Sequence, residues 1–236
     1  MAINAGPDVI EDGLVLCLDA GNNNSYPKSG TTWSDLAGSN NGTLTNGPTF
    51  DTGNGGSVVF DGTNDHVRIS NRSNFDFLVK TNNWAMSAWV LHTNVSSQRT
   101  VIGGDADGAD YGAVLLEQSF NNLGYRGVVA DGSSPYSPDT RTNTSYATNI
   151  WRNVTWVVNG TLSRIYVDAV EQGSETGTFP NSSSGLTDDV MLGAYSSGGS
   201  LYSFLGGRIS QVLIYNRALT TDEIRQNYEA TVGRYS

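Results

Sequence analysis

The chain has 236 residues, of which 37% are hydrophobic and 15% charged, with 28 glycines and 5 tryptophans, a balance that suits short strands and tight turns around one aromatic core. A formal charge of −10 and a pI near 4.4 repel phosphate backbones and anionic membranes, which excludes nucleic-acid binding driven by counterion release and leaves divalent cations as natural company. No stretch approaches the ~18 apolar residues of a membrane span.

Residues 1–12 lack periodicity and contain Gly6 and Pro7, so they read as an arm, mobile or laid against a partner, ahead of a domain spanning 13–236. The arm has no basic segment followed by an apolar one, the mark of a protein made in a cytosol without a signal peptide. β-Branched and aromatic residues cluster between Gly, Asn, Asp and Ser over 14–19, 57–61, 65–70, 84–91, 99–103, 111–117, 123–130, 151–158, 162–170, 189–194 and 207–216, which predicts strands there. Cys17 sits in the apolar run Leu14–Leu18 and reads as a small buried hydrophobe.

Phe60 to Val67 places a glycine-containing turn between two apolar strands, and Asn159-Gly160 supplies the two positive φ angles of a type I′ hairpin. In Trp84 to Val90, alternation puts Trp84, Met86, Ala88 and Val90 on one face and Trp89 on the other, as in a central strand covered on both sides. The final strand does not alternate cleanly: Ile209, Leu213 and Tyr215 share one parity, Val212 and Ile214 the other. That requires either two covered faces or a bulge. Thr220 and Glu223 then form a capping box, flanked by the staple pair Leu219 and Ile224, and the helix they start is too short to stand alone. These signals add up to an all-β antiparallel sandwich, a jelly roll, with one short C-terminal helix docked on it.

Read in order, Gly13 to Asp19, Trp33 to Gly38, Asn41 to Leu44, Val59 to Gly62, Met86 to Val90, Trp151 to Val154, Ile165 to Asp168, Leu192 to Ala194 and Gly207 through Ile224 resemble the laminin-G-like branch of the concanavalin A-like lectin/glucanase superfamily. The resemblance covers about residues 13 to 230. It implies two antiparallel sheets facing each other, with loops or a concave face open to ligands. The chain departs from it at Arg152-Asn153, where relatives carry a histidine, and at Asp168-Ala169, where they carry Asp-Gly; the second departure implies an altered turn. Leu16 to Ala20 is similar to the start of laminin-G-like proteins carried by tailed bacteriophages. It implies a virion surface protein made in the host cytoplasm, as a homo-oligomer or docked to virion proteins through residues 1–12.

Two opposed carboxylates are the usual requirement of glycoside hydrolysis. The Glu-x-Asp-x-x-Glu run of the superfamily's glucanases is missing here, and His66 and His92 fit no Ser-His-Asp or Cys-His order, so no catalytic residue is assigned. The resemblance implies binding instead. Candidate glycan-binding aromatics are the loop residues Tyr136, Tyr195 and Tyr202, while Trp84, Trp89, Trp151 and Trp156 lie in strands and read as core. Asp105, Asp107 and Asp110, in a run that also holds Gly108, are the candidate calcium ligands, with Asp131, Asp139 or Asp188 as further donors. The sequence therefore predicts a non-catalytic module recognising surface glycans, with a purely architectural virion role and a glycoside hydrolase as the alternatives.

Overall fold

The computed structural model describes residues 8–94, 97–105, 114–118, 124–129, 138–177 and 185–235. In chain order the strands are β1 (Leu14–Asp19), β2 (Thr32–Trp33), β3 (Gly42–Thr45), β4 (Thr49–Asp51), β5 (Ser57–Asp61), β6 (His66–Ile69), β7 (Asn83–His92), β8 (Arg99–Gly104) and β9 (Val114–Gln118). They continue as β10 (Tyr125–Val129), β11 (Asp139–Arg141), β12 (Arg152–Asn159), β13 (Leu162–Val167), β14 (Val170–Thr176), β15 (Val190–Leu192), β16 (Tyr195–Ser197), β17 (Ser200–Tyr202) and β18 (Gly206–Tyr215). Among the described residues the α-helices are a single turn α1 (Phe77–Lys80) and the terminal α2 (Thr221–Thr231). Among the described residues no helix is long and apolar enough to cross a membrane.

Two eight-stranded sheets face each other. The first runs β14-β13-β12-β7-β18-β5-β4, with β1 also paired to β18; the second runs β11-β10-β9-β8-β15-β6-β3-β2. Every pair is antiparallel, as the sandwich reading expects. Between the sheets lies one continuous core that includes Leu16, Leu18, Trp33, Phe60, Trp84, Met86, Val90, Leu116, Trp156 and Leu192. Trp84 and Trp156 meet edge to face at 4.7 Å, the arrangement that the aromatic quadrupoles favour.

The irregular last strand resolves into both alternatives at once. The register of β18 against β7 shifts between Ile209 and Gln211, so Ser210 is an inserted bulge residue. Ahead of the bulge Ile209 points into the core; behind it Val212 and Ile214 do, while Leu213 and Tyr215 turn to the outer face. Ser210 is fully buried. Its Oγ donates to the Gly56 carbonyl at 2.6 Å and accepts from Arg234 Nη2 at 3.1 Å and Tyr235 Oη at 2.7 Å.

α2 covers that outer face. Thr220 Oγ1 accepts from the Glu223 amide at 3.3 Å and Glu223 Oε2 accepts from the Thr220 amide at 2.8 Å, the reciprocal box the sequence predicts. Leu219 and Ile224 join Cys17, Ala85, Val157, Leu213 and Tyr215 in a second apolar cluster beneath the helix. Trp89 is buried there rather than in the inter-sheet core, its Nε1–H donating to Thr231 Oγ1 at 2.8 Å and its ring stacked on Tyr235 at 3.9 Å. Trp151 is only half-buried, outside the core that its strand-like setting predicts. It donates to Asn54 Oδ1 at 3.1 Å and lies against Tyr235, because residue 151 just precedes β12 and is not part of the inward alternation.

Residues 8–12 are laid against the chain's own helix. Asn227 Oδ1 accepts from the Ile10 amide at 2.8 Å, Tyr215 Oη donates to the Ile10 carbonyl at 3.0 Å, and Gln226 Nε2 donates to the Asp8 carbonyl at 2.8 Å. Cys17 is buried, and desolvation pushes its thiol up to about 12, which leaves it protonated and inert at neutral pH.

Two turns differ from their sequence reading. In the β12–β13 hairpin Asn159 pairs with Leu162, so the loop residues are Gly160 and Thr161, and only Gly160 has a positive φ, 65°. That is the type II′ pattern, which places glycine first, and not type I′. The type I′ pattern appears one hairpin later, at Asp168 (φ 52°) and Ala169 (φ 63°), between the paired residues Val167 and Val170. The turn that the resemblance expected to be altered keeps its double left-handed shape with an alanine where relatives have glycine. The other departure lies against it: Asp168 accepts from Arg152 Nη1 at 2.7 Å and from the Asn153 amide at 2.9 Å, and its own amide donates to the Asn153 carbonyl at 2.8 Å. Arg152-Asn153 thus clamps a turn in which Ala169 holds a conformation costing about 1–2 kcal/mol for an L-residue.

Ala169→Gly should therefore stabilise the protein by about 0.5–1 kcal/mol, the strain relieved less the greater freedom of glycine in the unfolded chain; unchanged chemical denaturation would contradict this account of the turn. A second expectation concerns acid. Arg217, bonded to Glu223 at 2.7 and 3.0 Å, together with the Thr220 cap, holds the Glu223 carboxyl down to about 2 from an ordinary value of 4.5. Its folded-state value lies below the unfolded one, so its contribution is complete above about pH 4.5 and fades as pH falls toward 2. Glu223→Gln keeps an acceptor for the Thr220 amide but removes the charge paired with Arg217, so it should cost about 1 kcal/mol at pH 7 and flatten the melting temperature's fall across that acid range.

Candidate functional site

The second sheet's outer face carries the groups that bear on recognition. Parity places Arg126 of β10, Glu117 of β9, Asp139 and Arg141 of β11, Thr100 and Gly103 of β8, Met191 of β15 and Arg68 of β6 on that side, since Leu116, Tyr125, Ile102 and Leu192 point into the core. Four of these form a cross-strand ion network. Arg126 Nη1 meets Glu117 Oε1 at 3.0 Å and Arg126 Nε meets Asp139 Oδ1 at 2.7 Å, while Arg141 Nη2 meets Asp139 Oδ2 at 2.8 Å. Glu117 is 1% exposed, and burial pushes its carboxyl up against the pull of Arg126 and Gln98. Burial also opposes ionisation of Asp139, but Arg126 and Arg141 outweigh it and hold that carboxyl below the usual range. Both acids on this part of the face are engaged by guanidinium groups, an arrangement that knits strands together.

Sequence reasoning passed over this network. The signal was available: Glu117 and Arg126 are charged residues inside predicted strands, a placement that demands partners once one face is covered.

Beside it stands the β16–β17 hairpin, packed on β8 through Tyr195, whose Cβ sits where a side chain at Gly103 would have to go. Tyr195 pairs with Tyr202 across the hairpin, and their rings stack at 5.5 Å. Tyr202 is 47% exposed, one of few large hydrophobic side chains so open. The hairpin base is fixed by Thr100, whose amide donates to the Ser203 carbonyl at 2.9 Å. Two carboxylates brace the tip: Ser196 Oγ donates to Asp188 Oδ2, and the Gly198 amide donates to Asp105 Oδ2 at 3.2 Å.

The structure thus brings together Tyr195, Tyr202 and Asp105, which the sequence assigned to different roles. Tyr136, Asp107, Asp110 and Asp131 lie outside the described residues. Asp105 is 1% exposed and braces the hairpin, Asp139 is committed to Arg126 and Arg141, and Asp188 to Ser196. Among the described residues no three His, Cys, Asp or Glu side chains gather as a metal site. The exposed Tyr202 ring and its hydroxyl are suited to a polyhydroxylated ring, which offers a C–H face for stacking and hydroxyls for hydrogen bonds.

No curated protein matches the chain. Solved structures share its fold at low identity. Trypanosoma rangeli sialidase in complex with sialic acid superposes with a TM-score of 0.70 at 17% identity over 95% of this chain but 34% of its own. Domain 4 of AbnA, an extracellular arabinanase from Geobacillus stearothermophilus, in complex with arabinotriose, has a TM-score of 0.69 at 21% identity, covering 93% of this chain and 100% of that domain. The botulinum neurotoxin serotype D binding domain gives 0.68 at 15% identity over 94% of this chain and 53% of its own. The chain therefore spans about a third of the sialidase it resembles. A laminin G family profile, described as the concanavalin A-like lectin/glucanases superfamily, matches residues 61–225, well over half the chain. With its two facing antiparallel sheets and the motifs at their strands, the chain belongs to the concanavalin A-like lectin/glucanases superfamily.

Proposed function

We propose that this chain is a non-catalytic glycan-binding module whose recognition element is the β16–β17 hairpin. The observation that carries the reading is the stacked Tyr195–Tyr202 pair, whose Tyr202 ring is open to solvent. The arabinanase domain in complex with arabinotriose, matched over its whole length, supports a sugar as ligand. The commitment of Glu117 and Asp139 to arginines supports binding over hydrolysis, since neither is left as an acid or base facing a sugar. Display on a virion surface is the setting that the Leu16 to Ala20 resemblance favours.

Tyr202→Ala should weaken binding of the best glycan on an array of multimerised protein about tenfold, the loss of one stacking contact, while leaving the melting temperature unchanged. Equal signals from both proteins would remove the hairpin from the reading, and a blank array would remove the glycan.

A further inference from the structure

On the helix-bearing side, at the margin of the first sheet, the chain forms an open bowl of about 630 Å³. Its floor is a planar ion pair, Arg234 Nη1 to Asp19 Oδ2 at 2.8 Å. Side chains at Gly21 or Gly55 would collide with the Arg234 guanidinium, at 2.2 and 2.8 Å, so these two glycines are what lets it lie flat between them. Asn22, Asn23 and Asn24 form an exposed amide wall. Asn54 Nδ2 donates to the Arg234 carbonyl at 3.1 Å and Asn54 Oδ1 accepts from Trp151 Nε1, which holds the backbone of Arg234 in place.

We infer that this bowl is a second saccharide site, separate from the tyrosine hairpin, that takes a neutral oligosaccharide. Among the described residues two of the five guanidinium N–H donors of Arg234 are engaged, by Asp19 and Ser210, which leaves donors beside a carboxylate that also accepts from the Gly21 amide and Gln211 and keeps acceptor capacity. Such a donor–acceptor pair matches vicinal hydroxyls, and the amides add adaptable hydrogen bonds. Neutrality of the ligand follows from charge. Asp19 cancels Arg234, and the protein's formal charge of −10 repels an anionic sugar. The bowl and the hairpin lie on opposite outer faces of the sandwich.

Titrating isotopically labelled protein with arabinotriose, maltotriose and cellotriose at millimolar concentration, alongside sialic acid as the anionic control, tests the inference. At least one neutral trisaccharide should shift the amides of Gly21 to Asn24 and Gly55, and sialic acid should not. The double variant Asn23→Ala/Asn24→Ala, which alters only exposed side chains without named partners, should weaken that binding about tenfold at unchanged melting temperature. Tyr202→Ala should leave the bowl response intact. If no neutral trisaccharide moves the bowl amides, or if sialic acid moves them more, the inference is overturned. Shifts at Tyr195 to Tyr202 alone would overturn it while sustaining the hairpin reading, and shifts at the bowl alone would do the reverse.

Discussion

Ser210 is the point on which the packing of this sandwich turns. A strand whose side chains strictly alternated from 206 to 215 would put Ile209 on one face and Val212 and Ile214 on the other. One inserted residue brings all three to the core and sends Leu213 and Tyr215 outward. The same residue marks where β18 changes neighbours, pairing with β5 through Ile209 and with β1 from Gln211. Its hydroxyl is then shared among the β4–β5 loop, Arg234 and Tyr235, so the local break in the ladder is compensated by bonds to distant parts of the chain.

From that arrangement follows the division between the two outer faces. On the outer face of the first sheet Cys17, Ala85, Val157, Leu213 and Tyr215 form an apolar cluster that requires a cover, which α2, residues 8–12 and the tail supply through Asn227, Ile224, Thr231 and Tyr235. On the second sheet the outward side chains beside Met191 and Gly103 are mainly charged or hydroxylated, and they are covered by ion pairing and by the tyrosine hairpin. Closure is thus concentrated on one side, and the opposite side keeps side chains with chemistry to offer.

The strands with strong local signals were legible from sequence: Leu14–Asp19 and Ser57–Asp61 coincide with their prediction, and the Thr220–Glu223 box stands as read. What escaped has physical reasons. Thr32–Trp33, Thr49–Asp51 and Ser200–Tyr202 are two- or three-residue strands, too short for any period to show. Residues 162–170 read as one strand because Asp168-Ala169 contains no glycine to announce a turn, and the clamp from Arg152-Asn153 that supports it comes from another strand. At the β16–β17 hairpin, sequence supplied Tyr195 and Tyr202 as loop aromatics. It did not supply their stacking or the proximity of Asp105, nearly a hundred residues away, since only the sheet order sets those neighbours.

The packing of residues 8–12 and of Arg234-Tyr235 on the first sheet fixes how the module is oriented toward anything attached to it. Asp8 and Tyr235, the ends of the described chain, both lie on the helix side of the sandwich, on the face opposite the tyrosine hairpin. The two faces are thereby polarised, one occupied by both chain ends and the other left to the hairpin.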